Sequence, residues 1–283
     1  LEFRRVLFRS NRVVARIALD GTVDTTTALT DAYSGSNIRS ATSSDGTSIW
    51  TGGTASPSTT GGVRYTTFGG STSVQLASAP LNCRVVNVFN NQLYVSNNSS
   101  PFFSVSGVGT GLPTISGQTV TTLPGLPTAT GPSTYDYFFA DAITLYIADD
   151  RASSGNGGIY KYTWNGSTWV LAYNLNPGTT LGCRGVTGYK NGGVTTLFAT
   201  TTQTNANLLV TVTDTGAGSP FTTLATAATN TAFRGVRFVR TPSSVVHVGT
   251  SCPTNTGTPV IGTVGGNPVI GNVNFRVSAT NNP

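Results

Sequence analysis

A repeat of about fifty residues constrains this chain more than any other feature, because repeats of that length built from β-type residues are propeller blades. In each copy an arginine opens a short apolar run, a turn follows, and an aliphatic–aromatic pair closes the unit. The copies read Arg39-Ser-Ala to Ile49-Trp50, Arg84-Val-Val to Leu93-Tyr94, Arg184-Gly-Val to Leu197-Phe198 and Arg234-Gly-Val to Val246-His247. A variant, Tyr137-Phe-Phe to Leu145-Tyr146, falls midway between the second and third arginines.

The pattern predicts an all-β propeller of four-stranded antiparallel blades, each blade four short runs separated by turn residues. Full blades are expected at 37–79, 82–124, 135–176 and 182–227, with half blades at 11–30 and 232–250. Asp45-Gly46, Gly69-Gly70 and Asn165-Gly166 supply hairpin turns, because these residues adopt positive φ readily. The count is about five blade equivalents, and the expectation is a parent propeller of six or seven blades.

Residues 1–10 read as a translated sequencing adapter: the nucleotides CGTGTGCTCTTCCGATCT encode Arg5-Val6-Leu7-Phe8-Arg9-Ser10. With no Met in the chain, the reading is a fragment that lacks its native start, and with it any signal peptide. Residues 251–283 read as a linker followed by the start of a truncated C-terminal β module.

Setting the first ten residues aside removes three cations and one anion and leaves +4 of the formal +6 charge. Lys161 and Lys190 are the only lysines, so no dense basic stripe is available to neutralise phosphates, and nucleic acid is excluded as a partner. No apolar stretch is long enough to span a membrane. A Thr/Asn/Ser-rich, lysine-poor composition points to an exported protein, extracellular or on the cell surface.

Several segments resemble a group of uncharacterised secreted bacterial β-propeller proteins. The likeness lies in Asn11-Arg-Val-Val-Ala-Arg-Ile, Asn37-Ile-Arg-Ser-Ala, Gly61-Gly-Val-Arg-Tyr-Thr-Thr, Asn90-Asn-Gln-Leu-Tyr-Val-Ser, Leu145-Tyr-Ile-Ala-Asp-Asp and Thr226-Ala-Ala-Thr-Asn-Thr-Ala-Phe-Arg-Gly-Val. It covers roughly residues 11–250 and implies further blade sequence upstream. It carries over no catalytic residue.

The repeat arginines Arg39, Arg84, Arg184 and Arg234 are the candidate ligand-binding set. At the start of successive innermost strands they would ring one mouth of the channel and hold an anion through forked hydrogen bonds. The competing and favoured reading is that each ties neighbouring blades through carbonyls or carboxylates. Counting ten residues back from Tyr146 puts Asp136 in the arginine position of the variant copy, a reversal of charge that supports internal pairing.

Asp141, Asp149 and Asp150 form the one concentration of acids and are the candidate Ca²⁺ ligands, since hard cations take oxygen donors on flexible loops. Their spacing matches no standard calcium loop, and a solvated loop pair is the default expectation for Asp149-Asp150. No other cofactor is expected. His247 occupies the aromatic slot of its repeat, and Trp164 and Trp169 flank a hairpin turn as a cross-strand pair. Cys83 and Cys183 occupy equivalent strands of non-adjacent blades, too distant to bridge, and read as small buried hydrophobes, while Cys252 lies beyond the repeats.

The expected function is that of a non-enzymatic, monomeric interaction module whose partner is a protein, a glycan or a small anionic ligand. The alternative is a propeller enzyme, a metal-assisted hydrolase, lactonase-like enzyme or lyase, with Asp136, Asp141, Asp149 and Asp150 gathered at the channel opening.

Overall fold

The computed structural model describes residues 11–18, 20–55, 58–152, 157–178 and 180–238, together with strands at 259–264 and 276–281. The chain opens with a hairpin of β1 (Arg12–Ile17) and β2 (Val23–Leu29). Four antiparallel four-stranded sheets follow. Blade 1 contains β3 (Ile38–Ser43), β4 (Ser48–Gly53), β5 (Gly62–Thr67) and β6 (Val74–Gln75), and blade 2 contains β7 (Cys83–Phe89), β8 (Gln92–Asn97), β9 (Ser104–Val108) and β10 (Val120–Thr122). Blade 3 is β11 (Thr134–Asp141), β12 (Thr144–Asp149), β13 (Gly158–Trp164) and β14 (Trp169–Leu175). Blade 4 is β15 (Cys183–Asn191), β16 (Val194–Thr201), β17 (Leu208–Asp214) and β18 (Phe221–Thr226). In each blade the strands pair in chain order, so every sheet is a meander and the chain moves to the next blade only after finishing one.

Local chemistry accounts for the turns. Asn90 and Asn91 both sit at positive φ between β7 and β8, and Gly192 and Gly193 do the same between β15 and β16. Two consecutive left-handed residues give the turn whose twist matches an antiparallel pair, which is why Asn and Gly stand there. Asn165 Oδ1 accepts from the amides of Ser167 and Thr168 at 3.0 and 2.9 Å, closing the β13–β14 hairpin at the expected Asn-Gly.

The core lies between the blades. Trp50, Val63, Leu76, Cys83, Val86 and Val95 fill the space between blades 1 and 2. Val85, Val105, Tyr137, Phe139, Ile147 and Trp169 fill the next space, and Tyr146, Ile159, Leu175, Cys183, Val186 and Val210 the third. A blade with neighbours on both sides buries both of its faces, and β12 is buried at all six positions. That explains its continuous apolar reading, Leu145-Tyr-Ile-Ala148, where a sheet with one wet face would alternate. Trp50 is 1% exposed and spends its one polar group on blade 2, its indole N–H reaching the Pro113 carbonyl at 2.7 Å. Cys83 and Cys183 are buried free thiols in equivalent strands, as expected.

After blade 4, residues 231–238 carry no strand pairing where a strand was expected from Phe233. Side chains of blade 4 hold this segment instead. Asn207 both donates to the Phe233 carbonyl and accepts from its amide, and the Thr200 hydroxyl donates to the Arg234 carbonyl at 2.7 Å. Positions 239–258 of the expected half blade and linker, including His247 and Cys252, lie outside the described residues. A separate unit contains the hairpin of β19 (Pro259–Val264) and β20 (Arg276–Asn281). The 3₁₀ turn at Ser58–Thr60 is the only helix among the described residues, and none is long and apolar enough to cross a membrane.

Candidate functional site

The innermost strands share a register signature. In every blade the ladder between the first two strands breaks after its first pair: Ile38 opposite Gly53, Cys83 opposite Asn97, Thr134 opposite Asp149 and Cys183 opposite Thr201. The residues that follow are Arg39, Arg84, Tyr135 and Arg184. Three positions further on, Thr42, Asn87, Phe138 and Thr187 pair with the aromatic residues Trp50, Tyr94, Tyr146 and Phe198. Tyr135, not Asp136, therefore occupies the arginine position of blade 3. The offset of ten misassigned it because a bulge between Phe139 and Asp141 adds one residue to that hairpin.

Asp136 instead matches Ser40 of blade 1, and the two do the same work. Ser40 Oγ accepts the Val86 amide of blade 2 at 2.9 Å, and Asp136 Oδ2 accepts the Val186 amide of blade 4 at 3.0 Å. Blades 2 and 4 have Val85 and Gly185 at this position, neither of which offers an acceptor, and a hydroxyl on the second strand takes over. Ser96 accepts the Val85 amide at 3.0 Å and donates to the Tyr135 carbonyl at 2.6 Å. Thr200 accepts the Gly185 amide at 3.0 Å and donates to the Arg234 carbonyl at 2.7 Å. The positions matching Ser96 and Thr200 in blades 1 and 3 are Gly52 and Ala148. A Cβ on Gly52 would sit 3.0 Å from Val86 Cγ1 and 3.1 Å from Ser40 Oγ, so the tether and the small residue are complementary. The unit of repetition in these tethers is a pair of blades.

The arginines divide in their tasks. Arg84 turns toward blade 3, donating to the Ser133 and Thr134 carbonyls and pairing with Asp150 at 3.1 Å while its guanidinium lies over the Tyr135 ring. Arg184 approaches the other oxygen of Asp150 at 3.6 Å, so one carboxylate of blade 3 lies between cations of blades 2 and 4. Arg39 donates to Asn82 Oδ1 and to the Cys83 carbonyl of blade 2. Arg234 is exposed and has no ion-pair partner among the described residues.

The first residues of the inner strands close around a cavity of about 360 Å³. Arg39, Ser40 and Ala41 border it from blade 1, Val85 and Val86 from blade 2, Tyr135 and Asp136 from blade 3, Arg184 from blade 4, and Arg234, Gly235, Val236 and Arg237 from the segment beyond. Three of the four sequence-predicted arginines thus meet in one place, and Arg84 stands apart from the lining. Asp136 is 2% exposed and fully engaged, accepting the Tyr137 amide, the Val186 amide and both terminal nitrogens of Arg237 at 2.8 Å. Its charge is cancelled by Arg237. Around the cavity the remaining cations are Arg39, Arg234 and Arg184, the last sharing Asp150 with Arg84, so positive charge is in excess.

The candidate Ca²⁺ ligands do not converge. Asp141 lies at the β11–β12 turn, where it pairs with Lys190 of blade 4, while Asp149 and Asp150 stand at the opposite end of β12. Asp149 is fully buried and holds the Arg151 guanidinium in a forked pair, together with the Ser133 and Arg151 amides. Instead of a solvated pair, Asp149-Asp150 supplies one loop anchor and one inter-blade clamp. Among the described residues no group of three His, Cys, Asp or Glu side chains is placed to hold a metal ion. Of the four acids proposed for an enzyme, only Asp136 borders the cavity.

Trp164 and Trp169 pair across the β13–β14 hairpin with ring centroids 5.6 Å apart, and Trp169, 7% exposed, packs edge-on against Phe139. They are core-facing, as cross-strand aromatic pairs often are. Sequence reasoning missed Tyr135, hidden by the bulge, and Arg237. The signal for Arg237 was a departure from the repeat, since its position is held by Thr42, Asn87, Phe138 and Thr187 in the four blades. No protein-family model matches the chain, and no curated protein matches it.

Proposed function

We propose that this chain is a non-enzymatic, exported binding module whose ligand occupies the cavity framed by the innermost strands. The observation that carries this reading is the composition of the lining: arginines from β3, β15 and the segment after blade 4, apolar residues between them, and a single carboxylate already spent on Arg237. General acid–base or hydrolytic chemistry needs a group free to exchange a proton beside the substrate, and each of Asp136, Asp141, Asp149 and Asp150 is committed to an ion pair. Concave, mostly apolar pockets with a few convergent polar groups are the usual form of a small-molecule site. The lysine-poor, Thr/Asn/Ser-rich composition supports export, and the protein works as a monomer.

Gly235 provides the test. It borders the cavity, its φ is ordinary, and a Cβ there meets no atom within 4 Å, so Gly235→Trp places an indole at the cavity's edge without straining the fold. A thermal-shift screen of small acids, amines and neutral sugars should return compounds that stabilise the protein and lose that effect in Gly235→Trp. Stabilisation that survives the substitution, or turnover of any hydrolase or lyase substrate, would refute the reading.

A further inference from the structure

We infer that the ligand of this cavity is a small organic carboxylate, its anionic head held by Arg184 and Arg234 and its apolar body laid against Ala41 and Val236. The inference rests on the reading that the cavity is the ligand site and names the chemical class it takes.

Charge is the first argument. Asp136 neutralises Arg237, and the one remaining carboxylate near the lining, Asp150, is divided between Arg84 and Arg184. Arg234 has no counter-ion among the described residues. An anion entering the cavity meets guanidinium groups whose forked N–H pairs match the two oxygens of a carboxylate. A cationic ligand would meet only repulsion.

An unmet donor is the second. Arg184 Nε is buried and makes no hydrogen bond, because Asp150 Oδ2 at 3.6 Å is beyond bonding distance. A buried charged donor without an acceptor is costly, and native structures rarely leave one unsatisfied unless a ligand or water completes it. Nε itself stays buried against Asp150, but the Arg184 side chain is 20% exposed and borders the cavity, so the rest of its guanidinium is open to an entering anion.

Size and lining supply the third. A volume of about 360 Å³ accommodates on the order of a dozen water-sized groups at ~30 Å³ each, which suits a small acid. Ala41 and Val236 present apolar surface that a bare inorganic anion would leave uncovered, whereas a hydrocarbon or aromatic body gains from it, and the buried Val85 and Val86 close the floor behind them. The free hydroxyls and amides that would read the several hydroxyls of a sugar are scarce: Ser40 and Asp136 are already held by backbone amides of neighbouring blades.

Isothermal titration with 3-phenylpropanoate, its neutral amide and inorganic sulfate tests the assignment on the full chain. The acid should bind one to one, at least about tenfold more tightly than the amide, since hydrogen bonds to charged groups are the stronger ones. Arg234→Gln should weaken it by about tenfold, and Gly235→Trp should abolish it. Arg234 is exposed and has no ion-pair partner among the described residues, so its loss should leave the fold intact, and the circular dichroism spectrum and melting temperature of the variant check this. Equal binding of acid and amide, or of acid and sulfate, overturns the organic-carboxylate assignment. If that common binding is still lost in Gly235→Trp, the cavity remains the ligand site. Acid binding unaffected by Gly235→Trp overturns both readings, and no detectable binding of the acid overturns this one.

Discussion

Replacing Asp214 by alanine should destabilise the protein by about 3 kcal/mol, toward the lower end of what breaking a buried ion pair costs. Asp214 ends β17 of blade 4 and projects into blade 3, where its side chain is 1% exposed. It accepts hydrogen bonds from Lys161 Nζ at 2.8 Å, the Tyr173 hydroxyl at 2.6 Å and the Tyr146 hydroxyl at 2.5 Å, three groups on three successive strands of one blade. Tyr146 is fully buried, so its hydroxyl would lose its acceptor with no access to water, at about 1–2 kcal/mol. Lys161, 21% exposed, would keep a partly desolvated charge without a partner at a similar cost, while the half-buried Tyr173 can turn to solvent. With a urea m-value of about 2–3 kcal/mol/M for a chain of this size, the midpoint falls by roughly 1–1.5 M.

Urea titration followed by tryptophan fluorescence measures the shift, because Trp164 and Trp169 belong to the same blade. Substituting both partners, Lys161→Met with Asp214→Leu, should recover part of the loss, since no uncompensated charge remains. The pH dependence gives an independent check. Burial pushes the Asp214 carboxyl upward, but hydrogen bonds from Lys161, Tyr146 and Tyr173 outweigh it and hold the group below its ordinary 3.8. Burial likewise disfavours the charged amine of Lys161, yet its bonds to Asp214 and Tyr173 hold it above its ordinary 10.5. A depressed carboxyl stabilises above its unfolded value and loses that contribution as pH falls through its folded one. A raised amine stabilises below its unfolded value and loses that contribution as pH rises through its folded one. The difference between native protein and Asp214→Ala should therefore be flat from about pH 5 to 10 and shrink on both sides. A midpoint change under about 0.3 M at constant m, roughly a quarter of that worked out above, would refute the reasoning, as would a difference indifferent to acid.

Gly185→Ala should loosen the segment after blade 4, because the new Cβ would lie 2.9 Å from the Arg234 carbonyl and 3.1 Å from the Val236 amide, both backbone atoms. Hydrogen exchange should accelerate at 233–237 with little change in β11 and β12, at a stability cost of about 1–3 kcal/mol; unaltered exchange in that segment would contradict it. Burial pushes the Cys83 thiol up to about 12 and the Cys183 thiol higher still, and both residues are fully buried. Neither should react with iodoacetamide at pH 8 until the protein is unfolded, and peptide mapping that found either one labelled in the native state would overturn this.

Local features made much of this legible before the fold was known. The start of β3 at Ile38, the span of β13 from Gly158 to Trp164 and the Asn165-Gly166 turn follow from side-chain alternation and positive-φ residues, which act over a few neighbours. The misassignment of Asp136 has an equally local cause with a distant effect. One bulge residue in β11 leaves the apolar pattern intact while shifting every count made across it. The reading of Asp149-Asp150 as a solvated pair failed for another reason: what a carboxylate pairs with depends on which blade stands beside it.

The arginine repeat determined by itself that the chain forms four full blades, that its first strands line a common centre, and that Cys83 and Cys183 occupy matching sites. These are consequences of periodicity, which a linear sequence records directly. Tertiary structure alone decided that Asp150 lies between Arg84 and Arg184, that tethers alternate over pairs of blades, that Lys161 meets Asp214, and that Arg39, Arg184 and Arg234 share one cavity while Arg84 does not. Each is a contact between separate parts of the fold, set by ladder register and the side-chain directions it imposes, and residues 34 to 195 positions apart have no local pattern that encodes their meeting.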